Sequence, residues 1–299
     1  MKISELTLGT AQLGMEYGIS NKIGKLSSKK ATEILKIASS VGINCYDTAR
    51  AYGNSEQVLG KFLKKESKNN IVITKIPNIN EISFDETSNK IRKNISESSF
   101  YLGMKDIPIC LLHEPTRIDK DDDMVRSIIK LKKEGLIKKI GISTYVPKEA
   151  KEFLDIPQLD VIQIPLNVFD TRLIHNNTLK ELNNGGKIIF ARSVYLQGLI
   201  GMETNQIPLF LEEAKPHIKN LKIISEEFNM NIREMALAFV KDLEEISSVI
   251  IGIESPDQLN ENIEFLNKKS LPIKIRERIM DEFSNLPEEI INPGIWKNT

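Results

Sequence analysis

The chain has 299 residues, with 41 basic side chains against 41 acidic ones and 40% hydrophobic content. That length allows two ordinary domains or one large barrel, and the balanced charge argues against a nucleic-acid-binding face or a polybasic membrane anchor. No apolar run approaches the ~18 residues of a membrane span, the N-terminal MKISELTLGT lacks a signal-peptide core, and the isolated Cys45 and Cys110 build neither a disulfide framework nor a zinc site.

Taken in order, the first strand candidate is the apolar run Leu6–Leu8, followed by a Gly-, Ser- and Asn-rich loop to Ser27. Ala31, Ile34, Leu35, Ala38 and Val41 then recur at helical spacing, with Ser27 and Ser28 as candidate N-caps and Gly42 past the end. Further strand candidates are Ile43–Tyr46, Ile71–Thr74 and Ile107–Leu112. A helical stripe through Val125, Ile128, Ile129 and Leu131 follows, and then the run Lys139–Ile142. Val146-Pro147 opens another helix, ahead of the strands Val161–Ile164 and Lys187–Phe190. The longest gap, Ala191 to Ser248, holds a loop at Gln197–Pro208 and helical patterns at Lys215–Phe228 and Ile232–Leu243. The run Val249–Ile251 precedes Ser255-Pro256-Asp257-Gln258, which reads as a capping box with proline at the first helical position. An amphipathic stretch at Ile273–Phe283 and the tail LPEEIINPGIWKNT finish the chain.

These runs are continuously apolar, as parallel strands buried on both faces are, and they alternate with helices. The pattern predicts an α/β fold, a (β/α)₈ TIM barrel over residues 1–299 as one domain, in preference to an open doubly wound sheet.

Barrel chemistry gathers at the C-terminal ends of strands. There the sequence places Asp47 with Tyr52 just beyond it, Lys75, His113, Ser143-Thr144, Gln163, Arg192-Ser193 and Gly252. A lysine ammonium beside a phenol is expected to lower the phenol's pKa, a carboxylate to hold that lysine charged, and a neutral imidazole to orient a substrate oxygen. Asp47, Tyr52, Lys75 and His113 thus make a candidate acid/base group for a carbonyl or alcohol, with no nucleophile and no metal cluster beside it.

Gly9-Thr10, the run Asp47-Thr48-Ala49-Arg50-Ala51-Tyr52-Gly53, Lys75, His113, Gly141-Ile142-Ser143, Gln163 and the stretch from Gly252 to Asn262 resemble the motifs of the aldo-keto reductases, in the right order along nearly the whole chain. The resemblance implies a nicotinamide cofactor, NAD(H) or NADP(H), held without a Rossmann domain, in keeping with the lack of a G-x-G-x-x-G after any strand. It implies hydride transfer to a carbonyl carbon while Tyr52 protonates the oxygen, Lys75 and Asp47 tune Tyr52, and His113 orients the substrate. Thr10, Asp47, Ser143, Thr144 and Gln163 would meet the nicotinamide end, and Ser193 with the backbone through Leu196 the pyrophosphate. Gly252, Glu254, Ser255, Gln258, Glu261 and Asn262 would surround the adenosine end.

Two positions depart from the family pattern. Thr144 stands where many relatives have Asn, and Arg192 stands where an aromatic ring usually stacks on the nicotinamide, a role a guanidinium plane can take. Around the last strand no Arg or Lys offers itself to a 2′-phosphate while Glu254 would repel one, which leans the expectation toward NAD(H). Tyr17, Arg50, Glu114, Tyr145, Asn167 and Trp296 form the expected rim. With Tyr52 and His113 they suit a sugar, a sugar derivative or a small polar aldehyde. A cytoplasmic enzyme with a small-molecule partner, neither nucleic acid nor membrane, is the resulting expectation. A cofactor-binding regulatory subunit and a barrel isomerase or lyase are its rivals.

Overall fold

Strands whose two faces are both apolar must be covered on both, and a sheet closed on itself and sheathed in helices does this. The computed structural model describes residues 1–66, 69–79, 83–115 and 117–296, so that 297–299 of the tail lie outside it. Its strands are β1 (Leu6–Gly9), β2 (Cys45–Asp47), β3 (Ile71–Pro77), β4 (Ile107–His113), β5 (Ile137–Ser143), β6 (Val161–Pro165), β7 (Ile188–Arg192) and β8 (Ser248–Gly252). Each pairs in parallel with the next and β8 closes on β1, giving the expected (β/α)₈ barrel.

The borders move where backbone hydrogen bonds decide them. The amide of Ile43 is spent on the Ala38 carbonyl at the end of the preceding helix, and β2 begins only at Cys45.

The helices are α1 (Ala11–Gly14), α2 (Ser28–Ser40), α3 (Ser55–Leu63), α4 (Phe84–Leu102), α5 (Asp123–Lys133), α6 (Pro147–Leu154), α7 (Arg172–His175), α8 (Thr178–Asn184), α9 (Lys215–Glu227), α10 (Ile232–Lys241), α11 (Pro256–Leu266), α12 (Ile273–Glu282) and α13 (Glu288–Ile291). Ser27 caps α2 as expected, accepting from the Lys30 amide. At α11 only half of the expected box forms. Ser255 Oγ accepts from the Gln258 amide, but Gln258 Oε1 accepts from Glu254 N, one residue ahead of the cap. A reciprocal box forms instead at Ser83 and Glu86, ahead of α4. No helix among the described residues is long and apolar enough to cross a membrane.

Side chains alternate along each strand, so one set faces the helices and the other the barrel axis. The axial set is packed low in the barrel by Cys45, Ile73, Leu111, Val161, Phe190 and Ile250 among others. Two residues further along those same strands stand Asp47, Lys75, His113, Gln163, Arg192 and Gly252. Above a greasy plug, the next inward positions are therefore almost all polar, and this step positions the site.

Candidate active site

Lys75 is wholly buried, and its three ammonium protons are all placed. Nζ donates to Asp47 Oδ2 at 2.7 Å, to the Thr48 carbonyl at 3.0 Å and to Tyr52 Oη at 3.3 Å. Asp47 in turn accepts at Oδ1 from Gln163 Nε2 at 2.8 Å, and Gln163 Oε1 accepts from Ser143 Oγ at 3.0 Å. One continuous network thus runs from Tyr52 through Lys75, Asp47 and Gln163 to Ser143. Taking an ammonium and a carboxylate out of water costs several kcal/mol per ion, which is offset only because nearly every donor and acceptor finds a partner.

Tyr52 reaches this network from the loop after β2, and glycine makes its approach possible. A side chain at Gly14 would meet the Tyr52 carbonyl at 1.9 Å, so α1 and this loop touch backbone to backbone. Ser55 Oγ then ties the loop to the Thr10 carbonyl at 2.8 Å. The ring of His113 packs edge-on to the Tyr52 ring with centroids 5.9 Å apart, and its Nε2 lies 3.5 Å from Glu114 Oε1.

The expectation that the ammonium would lower the phenol's pKa is not met. Burial first, and the Asp47 carboxylate second, push Tyr52 well above the ordinary tyrosine value, with Arg192 pulling the other way. The phenol is a held proton. Burial also lowers Lys75 against the pull of Asp47. Burial and the nearby Lys75 and Arg192 push His113 down to about 3, leaving a neutral imidazole that can donate or accept one hydrogen bond.

Asp47, Tyr52 and Gln163 face a cleft of about 430 Å³ that runs from the barrel mouth toward β8. Thr10, Arg192, Ser193, Gly252, Glu254 and Gln258 line it, as does Tyr17 from the first loop. That loop straps the cleft, its Ile19 amide donating to the Gln197 carbonyl at 3.1 Å. Glu254 is half-buried against the strap, and burial raises its carboxyl pKa.

Other expected contacts are spent elsewhere. Arg50 turns away from the cleft and pairs with Glu56 and Glu97, tying the catalytic loop to α3 and α4. Asn167 is fully buried and pins its own turn, accepting from the Phe169 and Asp170 amides and donating to the Ser193 carbonyl. The Thr144 hydroxyl donates to Glu149, so it is not left over for a cofactor amide. Leu196 has a buried side chain, and its amide is used on the Ser193 carbonyl. The Ser255 hydroxyl is the α11 cap, and Asn262 is buried between the Tyr195 hydroxyl and the Gln258 carbonyl. Trp296 donates from Nε1 to the Glu289 carbonyl at 2.8 Å, holding the tail to α13.

Three of the cleft residues that the sequence reading missed bear on ligand binding. Lys22 comes from the strap and Arg233 from the first turn of α10, so basic side chains reach the cleft from elements other than the stretch from Gly252 to Asn262, which holds none. Arg233 is paired with Glu261 at 2.5 Å and lies over the Tyr195 ring. No local motif marks it, since it lies on a different helix from Glu261. The third is Gln12, which is 5% exposed, with an Oε1 that has no hydrogen-bond partner. A buried polar atom left unpaired beside the cleft is available to a ligand. With a guanidinium, hydroxyls and amides along its length, the cleft suits an extended polar molecule carrying phosphates, and a dinucleotide fits that description.

Comparison with known proteins agrees with this geometry. The model of the aldo/keto reductase family matches residues 5–281. The NADH-specific methylglyoxal reductase of Escherichia coli (strain K12) is 26% identical over 298 residues, which cover 89% of this chain and 90% of that protein. The L-galactose dehydrogenase of Arabidopsis thaliana is 28% identical over 285 residues, covering 88% and 84%. Among solved structures, the holo form of aldo-keto reductase AKR11C1 from Bacillus halodurans superposes with a TM-score of 0.76 at 24% identity, covering 94% of this chain and 92% of that one. The last likeness is one of fold. The match of the family model across most of the chain is decisive: this chain belongs to the aldo/keto reductase family of oxidoreductases.

Proposed function

We propose that the protein is a nicotinamide-dependent carbonyl reductase or alcohol dehydrogenase for small polar substrates, with Tyr52 as its proton donor and acceptor. The observation that carries this reading is the 3.3 Å contact between Tyr52 Oη and Lys75 Nζ, itself anchored on Asp47, at the edge of a polar-lined cleft of about 430 Å³. A bound nicotinamide dinucleotide would supply the hydride that forms the new C–H bond at the carbonyl carbon.

Everything else falls to the chain. Tyr52, kept neutral by burial, gives its proton to the carbonyl oxygen as the double bond opens. The phenolate so formed lies beside the Lys75 ammonium, which stabilises it until a proton returns. The neutral His113 steadies the substrate oxygen. Gln12, Ser193 and Gln258, with Arg192, would hold the dinucleotide along the cleft. In the reverse direction the phenolate takes the alcohol proton.

The rim favours a hydroxylated or otherwise polar substrate. Tyr145 and Glu114 help to raise the Tyr52 phenol, and Tyr52 and Tyr145 the Tyr17 phenol, so these rim side chains gather about one point. The relatives include, by name, a methylglyoxal reductase, an L-galactose dehydrogenase and a D-threo-aldose 1-dehydrogenase. A panel of small aldehydes, ketones and sugars assayed with NADH, NADPH and their oxidised forms tests the reading. Turnover of a polar member supports it. Dinucleotide binding with no turnover across the panel would turn the reading toward a regulatory role.

A further inference from the structure

Arg192 ends β7 and points into the cleft beside the catalytic group. Its guanidinium is fixed on three sides. Nη2 donates to the Thr144 carbonyl at 3.0 Å, Nη1 donates to Ser193 Oγ at 3.1 Å, and the group lies 3.9 Å from the centroid of the Tyr145 ring. All three partners are neutral. Among the described residues no carboxylate comes within ion-pair distance of it, whereas Lys75 and Asp47 are paired with one another at 2.7 Å. Glu114, whose side chain is 48% exposed at the rim, acts on Arg192 only from further off. The cleft therefore carries one uncompensated, immobile positive charge next to Tyr52.

The reaction proposed above fixes what must stand near that charge. A carbonyl oxygen taking a proton from Tyr52 lies about 2.6–3.2 Å from Oη, and the hydride donor lies about 3–3.5 Å from the carbonyl carbon. The redox-active ring is thus confined to the neighbourhood of Tyr52, where Arg192 also sits. That ring is uncharged when reduced and positive when oxidised. In a buried setting, two like charges at such a range repel strongly.

We propose that Arg192 sets the ratio of affinities for the two redox forms of the cofactor, favouring the reduced form over the oxidised one. This rests on the oxidoreductase reading and adds to it a preference between the two redox states of the cofactor. The attraction of Arg192 for cofactor phosphates is the same in both redox forms and cancels in the ratio, which isolates the charge of the ring.

The test is binding, measured by calorimetric titration without substrate. NADH and NAD⁺ (or the 2′-phosphorylated pair, whichever binds more tightly) are titrated into the wild-type protein, Arg192→Gln and Arg192→Lys. The wild type is expected to bind the reduced form at least tenfold more tightly. Arg192→Gln is expected to shrink that ratio at least tenfold, and Arg192→Lys to keep most of it. The wild-type ratio is informative without any variant: equal affinity for the two forms overturns the proposal. So does a folded Arg192→Gln whose ratio stays within twofold of the wild type. Failure of the wild type to bind any of the four dinucleotides defeats the oxidoreductase reading itself, a result distinct from binding with an unmoved ratio.

Discussion

The side-chain amide of Gln12 lies against the backbone of Gly252, at the seam where β1 meets β8. A Cβ at residue 252 would stand 2.7 Å from Gln12 Nε2 and 3.0 Å from its Oε1. The absence of a side chain at one residue is thus what seats the other in the cleft. Gln12→Leu removes a buried oxygen with no partner, so its thermal stability should equal or exceed that of the wild type by about 1 kcal/mol. Its affinity for the dinucleotide should nevertheless fall, about tenfold for the loss of one good hydrogen bond. Melting curves and titrations on the same samples check both halves, and a variant that binds as tightly as the wild type would remove Gln12 from the binding surface.

The Lys75–Asp47 pair predicts strong non-additivity. Asp47→Ala leaves the wholly buried ammonium without a counter-charge and should cost about 3–5 kcal/mol of stability. Lys75→Met on the same background should restore much of that loss while leaving the protein inactive. Urea unfolding of the two single variants and the double variant reads the coupling directly; additive losses would mean that the pair is not energetically joined.

Acid should act through His113. Its imidazole takes a proton only near pH 3 in the folded chain, against an ordinary value of about 6.5 when unfolded. Between those values the unfolded state binds more protons, so stability is lost as the pH falls through that window, by at most about 1.4 kcal/mol per pH unit. His113→Gln should flatten this part of the stability curve while leaving stability at pH 8 nearly unchanged. Parallel slopes for the two proteins between pH 6 and pH 4 would contradict the assignment.

Cofactor choice should respond to the Arg233–Glu261 pair. In the present arrangement Glu261 holds the guanidinium at 2.5 Å, and Glu254 adds a half-buried carboxyl to the same end of the cleft. Both oppose a 2′-phosphate, whereas Arg233 and Lys22 favour one. Glu261→Gln frees Arg233 and should raise kcat/KM for NADPH relative to NADH at least fivefold. No change in that ratio would place the adenosine end elsewhere.

Much of this is legible in the sequence. The strands announce themselves as short, mostly apolar runs, and the polar residues that end them mark the mouth of the barrel. Asp47, Tyr52, Lys75, His113 and Gln163 could be named because each falls at or just beyond a strand end, where position in the chain implies position in space. The helices α3 and α4 escaped notice. Their buried faces interleave Leu59, Phe62, Ile91 and Ile95 with Ser55, Glu56, Thr87, Ser88 and Ser98, which breaks up the apolar stripe. Side-chain direction was the other blind spot. Arg50, Thr144 and Asn167 sit where a cleft residue should, yet each spends its polar atoms on a nearer partner, and no spacing rule reveals that. Arg233 was invisible for the opposite reason, since it reaches the cleft from a helix whose first turn carries no signature. The sign of the shift at Tyr52 was misjudged because burial cannot be read from a loop residue's neighbours in sequence.

The central claim is that Tyr52 delivers the proton while the cleft beside it holds the dinucleotide, and Tyr52→Phe tests the two parts separately. Paired measurement of kcat on the best substrate and of Kd for the reduced cofactor should show turnover reduced at least about 100-fold, with affinity within about threefold of the wild type. Turnover that survives the substitution, or affinity that collapses with it, would contradict the account.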